Sequence, residues 1–183
     1  MRRALSRPGF LEPAKLAAAL LLTHILWRAA FSGGPAGMVF FMGDDVSRLF
    51  APIGRATASA AGWLLSCTGE EVVTRGCHLY SLRMPGSIDV VWSCSGLKQS
   101  LAFTLALLIA CGPWRRKAWY LPLCLVALFL GNIVRVSLIA RFTWSGYCSF
   151  QTAHVCAKYG YYFLLFFLWL LWQKMSVRCE SDC

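Results

Sequence analysis

Residues 118–142, AWYLPLCLVALFLGNIVRVSLIARF, are an almost continuous apolar stretch of the length a helix needs to cross a bilayer core, ~20 residues. A second such stretch, 151–173, follows after a short connection, and two more can be drawn at 14–31 and 95–112. In the last of these the apolar run LAFTLALLIACG is short. It reaches spanning length only if the polar turn SGLKQS is the helix start at the water interface. Apolar residues bunched in this way are better explained by burial in lipid than by one large water-soluble core. Composition agrees, since 58% of residues are hydrophobic and 14% charged, against about a quarter charged in an ordinary soluble domain. The expectation is one all-α integral membrane domain over residues 1–183, with about four transmembrane helices in a bundle.

The formal net charge of +10 would also suit nucleic acid. The 18 Lys and Arg residues, however, fall mostly at the ends of apolar runs and in short connections. That placement fits a membrane and not a phosphate groove, so no nucleic-acid partner is expected. The connection PWRRK, 113–117, carries three cations and TWSGYCSFQTA, 143–153, carries none, which puts the first on the cytoplasmic side and the second outside. Arg2, Arg3, Arg7 and Lys15 before the first span agree, as do Lys174 and Arg178 after the fourth. The result is an N-in, C-in topology with one large outer segment, 32–93. The first span reads as a retained anchor and not a cleaved secretory signal, because its apolar stretch is long and no A-x-A site follows.

Within the outer segment, Val46, Leu49, Phe50, Ile53, Thr57, Ala60 and Leu64 recur at helical spacing, with Arg48 and Arg55 on the other side. This predicts an interfacial amphipathic helix. Residues 71–92 then hold VVTRGCHLYSL and SIDVVW around the turn signal MPG, which reads as a short β-hairpin. That hairpin delivers the chain to Cys94.

Cys94, in VVWSCSGLKQS, sits at the outer mouth of the second span. With a helix starting near Ser93 or Ser95, its thiol lies by N-terminal N–H groups that favour a thiolate. Arg135 lies nine residues before Trp144, hence ~13 Å down the helix and inside the hydrocarbon slab, where a guanidinium normally faces a partner, a cavity or a site. Asn132 falls on nearly the same face, giving a polar stripe toward the bundle interior. His154 stands where the outer connection enters the fourth span, level with Cys94. Together Cys94, His154 and Arg135 supply a nucleophile, a proton-transfer group and a stabiliser for an oxyanion. Lys158 and Tyr161 share a helical face with His154 and are placed to line the same cavity. His24 and Arg28 read as a bundle-facing polar residue and an interfacial anchor.

CSGL at 94–97, NIVR at 132–135, and His154 followed by Gly160 resemble the exosortase and archaeosortase family of membrane-embedded cysteine transpeptidases and proteases. The resemblance covers residues 55–172, and the family's catalytic set is Cys, Arg, His in this chain order. The chain has fewer spans than the longer members and so is similar to their catalytic core alone. Lys98 stands where Arg is common in the family. The resemblance implies a prokaryotic cytoplasmic membrane, with the active site facing the periplasm or cell exterior. It also implies partner proteins whose C-terminal sorting tail combines a short motif, a transmembrane helix and a basic cluster.

On that reading Cys94 is the nucleophile, Arg135 the carbonyl and oxyanion stabiliser, and His154 the general acid and base. Asn132, Lys98 and Tyr161 are candidates for holding substrate. A thioester would be resolved by an acceptor amine or hydroxyl whose identity the sequence leaves open, or by water. Neither a cofactor nor a metal is called for. Besides Cys94 the outer side holds Cys67, Cys77, Cys148 and Cys156, of which Cys67 with Cys77 would close a loop beneath the hairpin in an oxidising compartment, although spacing alone does not decide the pairing. Two other readings compete: a membrane thiol-disulfide oxidoreductase, for which the chain lacks a C-x-x-C pair and which leaves Arg135 unexplained, and a non-catalytic membrane subunit, which would tolerate Cys94→Ser.

Overall fold

The computed structural model describes residues 8–34 and 38–180. Five helices carry the fold among these residues: α1 (Pro8–Ala30), α2 (Ser47–Cys67), α3 (Leu97–Ile109), α4 (Trp114–Trp144) and α5 (Phe150–Glu180). α4 brackets the expected third span and α5 the fourth. Each runs 31 residues, which at 1.5 Å per residue is about 46 Å and exceeds the ~30 Å hydrocarbon core.

Among the described residues these two helices are long and apolar enough to cross a membrane. Four helices of spanning quality were expected, and α1 and α3 fall short of that measure. α1 interrupts its apolar run with Lys15, His24 and Arg28. α3 has only 13 residues, because Gly96 precedes it in a left-handed conformation and the Cys111-Gly112-Pro113 turn follows it. Its last carbonyls are satisfied from the next helix, where Lys117 Nζ donates to Leu108 O at 3.0 Å and Ala110 O at 2.6 Å.

The fold is not purely helical. Strands β1 (Phe31–Gly33), β2 (Val39–Phe41) and β3 (Asp44–Asp45) form one antiparallel sheet after α1. Strands β4 (Val72–Arg75), β5 (His78–Ser81) and β6 (Ser87–Asp89) form a second. The single hairpin expected around MPG is therefore a three-stranded meander. Arg75 pairs with His78, so VVTRGCHLYS folds on itself through a two-residue loop whose first residue, Gly76, has φ 62°, the position that a type II′ turn reserves for glycine. MPG then only links β5 to β6.

α2 lies where an amphipathic helix was expected, but it presents a different face. Leu49 is 73% exposed, while Phe50, Gly54, Thr57, Ala58, Ala61, Gly62 and Leu65 are buried. The small residues let α4 and the β4–β6 sheet approach the helix backbone closely. A Cβ at Gly62 would collide with Thr74 Oγ1, so close approach through small side chains, and not hydrophobicity alone, decides which face turns inward.

Three cores result. α1, α3, α4 and α5 share one around Phe103, Leu107, Leu128, Leu165, Trp169 and Trp172. A second joins α2 and the β4–β6 sheet to the far half of α4 through Ala58, Leu79, Val90, Ile133 and Val136. In the third, Trp27, Phe31 and Phe50 surround Trp92 at ring distances of 6.0–6.4 Å, fixing the chain two residues before Cys94.

Candidate active site

Cys94 ends a 3-10 turn, Trp92–Cys94, which is tied back by Cys94 N–H to Val91 O at 2.8 Å. The thiol was expected among the first N–H groups of a helix. Instead α3 begins three residues later, at Leu97, and Ser95 does the capping: its hydroxyl donates to Trp92 O at 2.6 Å and accepts from Leu97 N–H at 3.3 Å. Gly96 closes the turn at φ 74°. A Cβ there would lie 3.1 Å from both Asn132 Cγ and the Tyr161 hydroxyl, so glycine is needed for conformation and for space.

From this turn a chain of polar contacts runs into the bundle. Asn132 Nδ2 donates to the carbonyl oxygen of Cys94 at 2.7 Å. Arg135, one turn along α4, reaches Asn132 Oδ1 at 3.5 Å and lies 3.3 Å from His154 Nε2 on α5. A guanidinium can only donate, so Nε2 accepts and the ring carries its proton on Nδ1. The guanidinium also stands 5.9 Å from the Tyr161 ring centre, while the Tyr161 hydroxyl donates to Leu128 O at 3.1 Å. The i, i+3 spacing of Asn132 and Arg135 puts both on the inward face of α4, where Asn132 is fully buried.

Arg135 is buried, yet no carboxylate pairs with it among the described residues. Its Nε is buried with no partner. Its surroundings therefore stabilise the cation only through neutral acceptors, and an anion at the guanidinium would be stabilised strongly. Space is at hand. A cavity of about 730 Å³ opens between α4 and α5, lined by Arg135, Tyr161, Cys156, Val134 and Leu138 among others. A smaller one of about 340 Å³ lies on the other side of Tyr161, under Ser95 and Ser100.

The expected residues thus divide. Asn132, Arg135, His154 and Tyr161 are brought together, and Cys94 joins them through its backbone carbonyl oxygen, which Asn132 holds. Lys98 is not part of this chain, since its Nζ lies 2.7 Å from His24 Nδ1 of α1. The Cys67–Cys77 disulfide is not formed, and both thiols are free. Cys77 Sγ sits near Ala51 O, at 3.9 Å, whereas Cys67 ends α2, about 24 Å farther along the helix axis and well beyond the Cα separation that a disulfide allows. Sequence reasoning did not assign Trp92 or Gly96. Gly96 was readable only as part of CSGL, and Trp92 carried no signal beyond its place before the cysteine.

A family model described as transmembrane exosortase matches residues 3–173. No curated protein and no solved structure matches the chain.

Proposed function

The chain belongs to the transmembrane exosortase family, and from that premise and the geometry of its site we propose that it is a membrane cysteine transpeptidase or endopeptidase. Its substrates on this reading are exported proteins with a C-terminal tail of motif, transmembrane helix and basic cluster. The observation that carries the proposal is Arg135: a buried cation with no carboxylate partner among the described residues, joined through Asn132 to the backbone of the Cys94 turn and directly to His154.

The Cys94 thiol gives its proton to His154, and its sulfur attacks a peptide carbonyl of the motif. The carbonyl oxygen becomes an oxyanion. An imidazolium cannot accept from Arg135, so protonation of His154 opens their contact and frees guanidinium donors for that oxyanion. His154 then passes the proton to the leaving amine, the C–N bond breaks, and the outer protein remains as a thioester on Cys94. An incoming amine or hydroxyl, activated by the now neutral His154, displaces the sulfur, and water in its place gives hydrolysis. In the same reading α1 and α3 join α4 and α5 as spans, both chain ends face the cytoplasm, and the Cys94 end of the bundle faces outward.

The test is to introduce Cys94→Ser in the native host and compare C-terminal peptides of all membrane proteins by mass spectrometry. Accumulation of uncut proteins with one span and a basic tail is the expected result. An unchanged set of tails sinks the proposal.

A further inference from the structure

Arg28 of α1, Lys98 of α3 and Lys158 of α5 gather beside His24 at the end of the bundle that carries Cys94. Lys98 Nζ donates to His24 Nδ1 at 2.7 Å, and both groups lie in the electrostatic field of Arg28 and Lys158. Among the described residues no Asp or Glu pairs with any of the three cations. Three helices therefore converge like charges that no carboxylate among the described residues offsets.

Lys98 and His24 also border a cavity of about 400 Å³ between α1 and α3, closed on one side by Tyr162 of α5 and separate from the two beside Tyr161. Its wall changes character along its length. Ala17, Leu20 and Leu21 of α1 and Ala102 of α3 line the lower part, while His24, Lys98 and Gln99 line the upper. In α1 the apolar lining residues Ala17, Leu20 and Leu21 precede His24 and Arg28 by one to three turns, so the apolar part of the wall lies below the cationic one. Gln99 Oε1 is buried there with no partner.

A small soluble anion would meet the cations but leave the apolar floor unfilled. A neutral lipid would fill the floor but leave the cations unpaired. We propose that this groove holds one phospholipid with an anionic headgroup, its phosphate among Arg28, Lys98 and Lys158 and an acyl chain along Leu20 and Leu21. Complementarity of charge at one end and of apolar surface at the other selects this occupant. The site does not involve Cys94, Arg135 or His154, so it stands or falls apart from the peptide chemistry.

Native mass spectrometry of the full chain, released from detergent micelles with equal amounts of phosphatidylglycerol and phosphatidylcholine, reads the occupancy directly. The unaltered protein retains one phosphatidylglycerol in preference to phosphatidylcholine. Lys98→Gln and the exposed Lys158→Gln each weaken that retention about five-fold, with melting temperature confirming that both variants fold. Arg115→Gln, at the opposite end of the bundle, leaves it unchanged. Equal retention of phosphatidylcholine overturns the proposal, as does an equal loss in Arg115→Gln. Displacement by millimolar inorganic phosphate also overturns it, because free phosphate would then be the ligand.

Discussion

α4 buries two cations to the same degree, Lys117 near its start and Arg135 in its far half, each 5% exposed, and their surroundings have little in common. Lys117 donates to two backbone carbonyls at the end of α3 and stands 4.8 Å from the Trp114 ring centre. It completes a helix terminus that would otherwise end on unmet acceptors, close to the Trp172 packing of the first core. Arg135 meets neutral side chains, keeps one nitrogen unpartnered and borders a cavity. Burial alone does not separate a structural charge from a working one. On the proposed function, the state of its hydrogen bonds does.

Substituting the two cations in turn separates them most sharply. Arg135→Gln is expected to lower client cleavage about 10²–10³-fold, the usual loss for one oxyanion donor, while the melting temperature in detergent holds or rises because an unpaired buried charge has gone. A comparable loss follows His154→Ala, about 10²–10⁴-fold in cleavage rate, measured with a tail peptide reconstituted in bilayers. Lys117→Met should do the reverse. Leaving the α3 carbonyls unmet costs about 1–3 kcal/mol of stability, seen in thermal melting, with cleavage per folded molecule retained. If Arg135→Gln melts as low as Lys117→Met, the two cations are alike and the distinction fails. Gly96→Ala, which forces a Cβ against Asn132 and Tyr161 at positive φ, should cost about 1–2 kcal/mol. Tyr161→Phe, losing the bond to Leu128 O, sharpens the lower limit at about 1 kcal/mol.

What could be read from the sequence was whatever a single helix decides. The apolar runs fixed α4 and α5, and Arg135 and Asn132 stood out because each is polar inside such a run. His154 and Cys94 were placed by their positions at helix entrances. What escaped reading depends on contacts across the chain. The inward face of α2 is set by the approach of α4 and a sheet, so hydrophobic spacing put Leu49 on the wrong side. The freedom of Cys67 and Cys77 is set by where the β4–β5 loop lands on α2. Lys98 sits at the start of α3 as expected, but the packing of α3 on α1 turns it to His24 and away from Arg135.

The shortness of α3 has a physical consequence for the membrane around it. At 13 residues it rises only about 20 Å, some 10 Å less than the hydrocarbon thickness. Lys117 holds its far end, so on the proposed topology the shortfall would be taken up at the Gly96 end, where the chain enters α3 from the Cys94 turn. Lipid beside a short hydrophobic segment thins to match it. With α3 as a span, as proposed above, the leaflet at that end would dimple toward Cys94 and bring water inward to a thiol that a bilayer of full depth would keep dry.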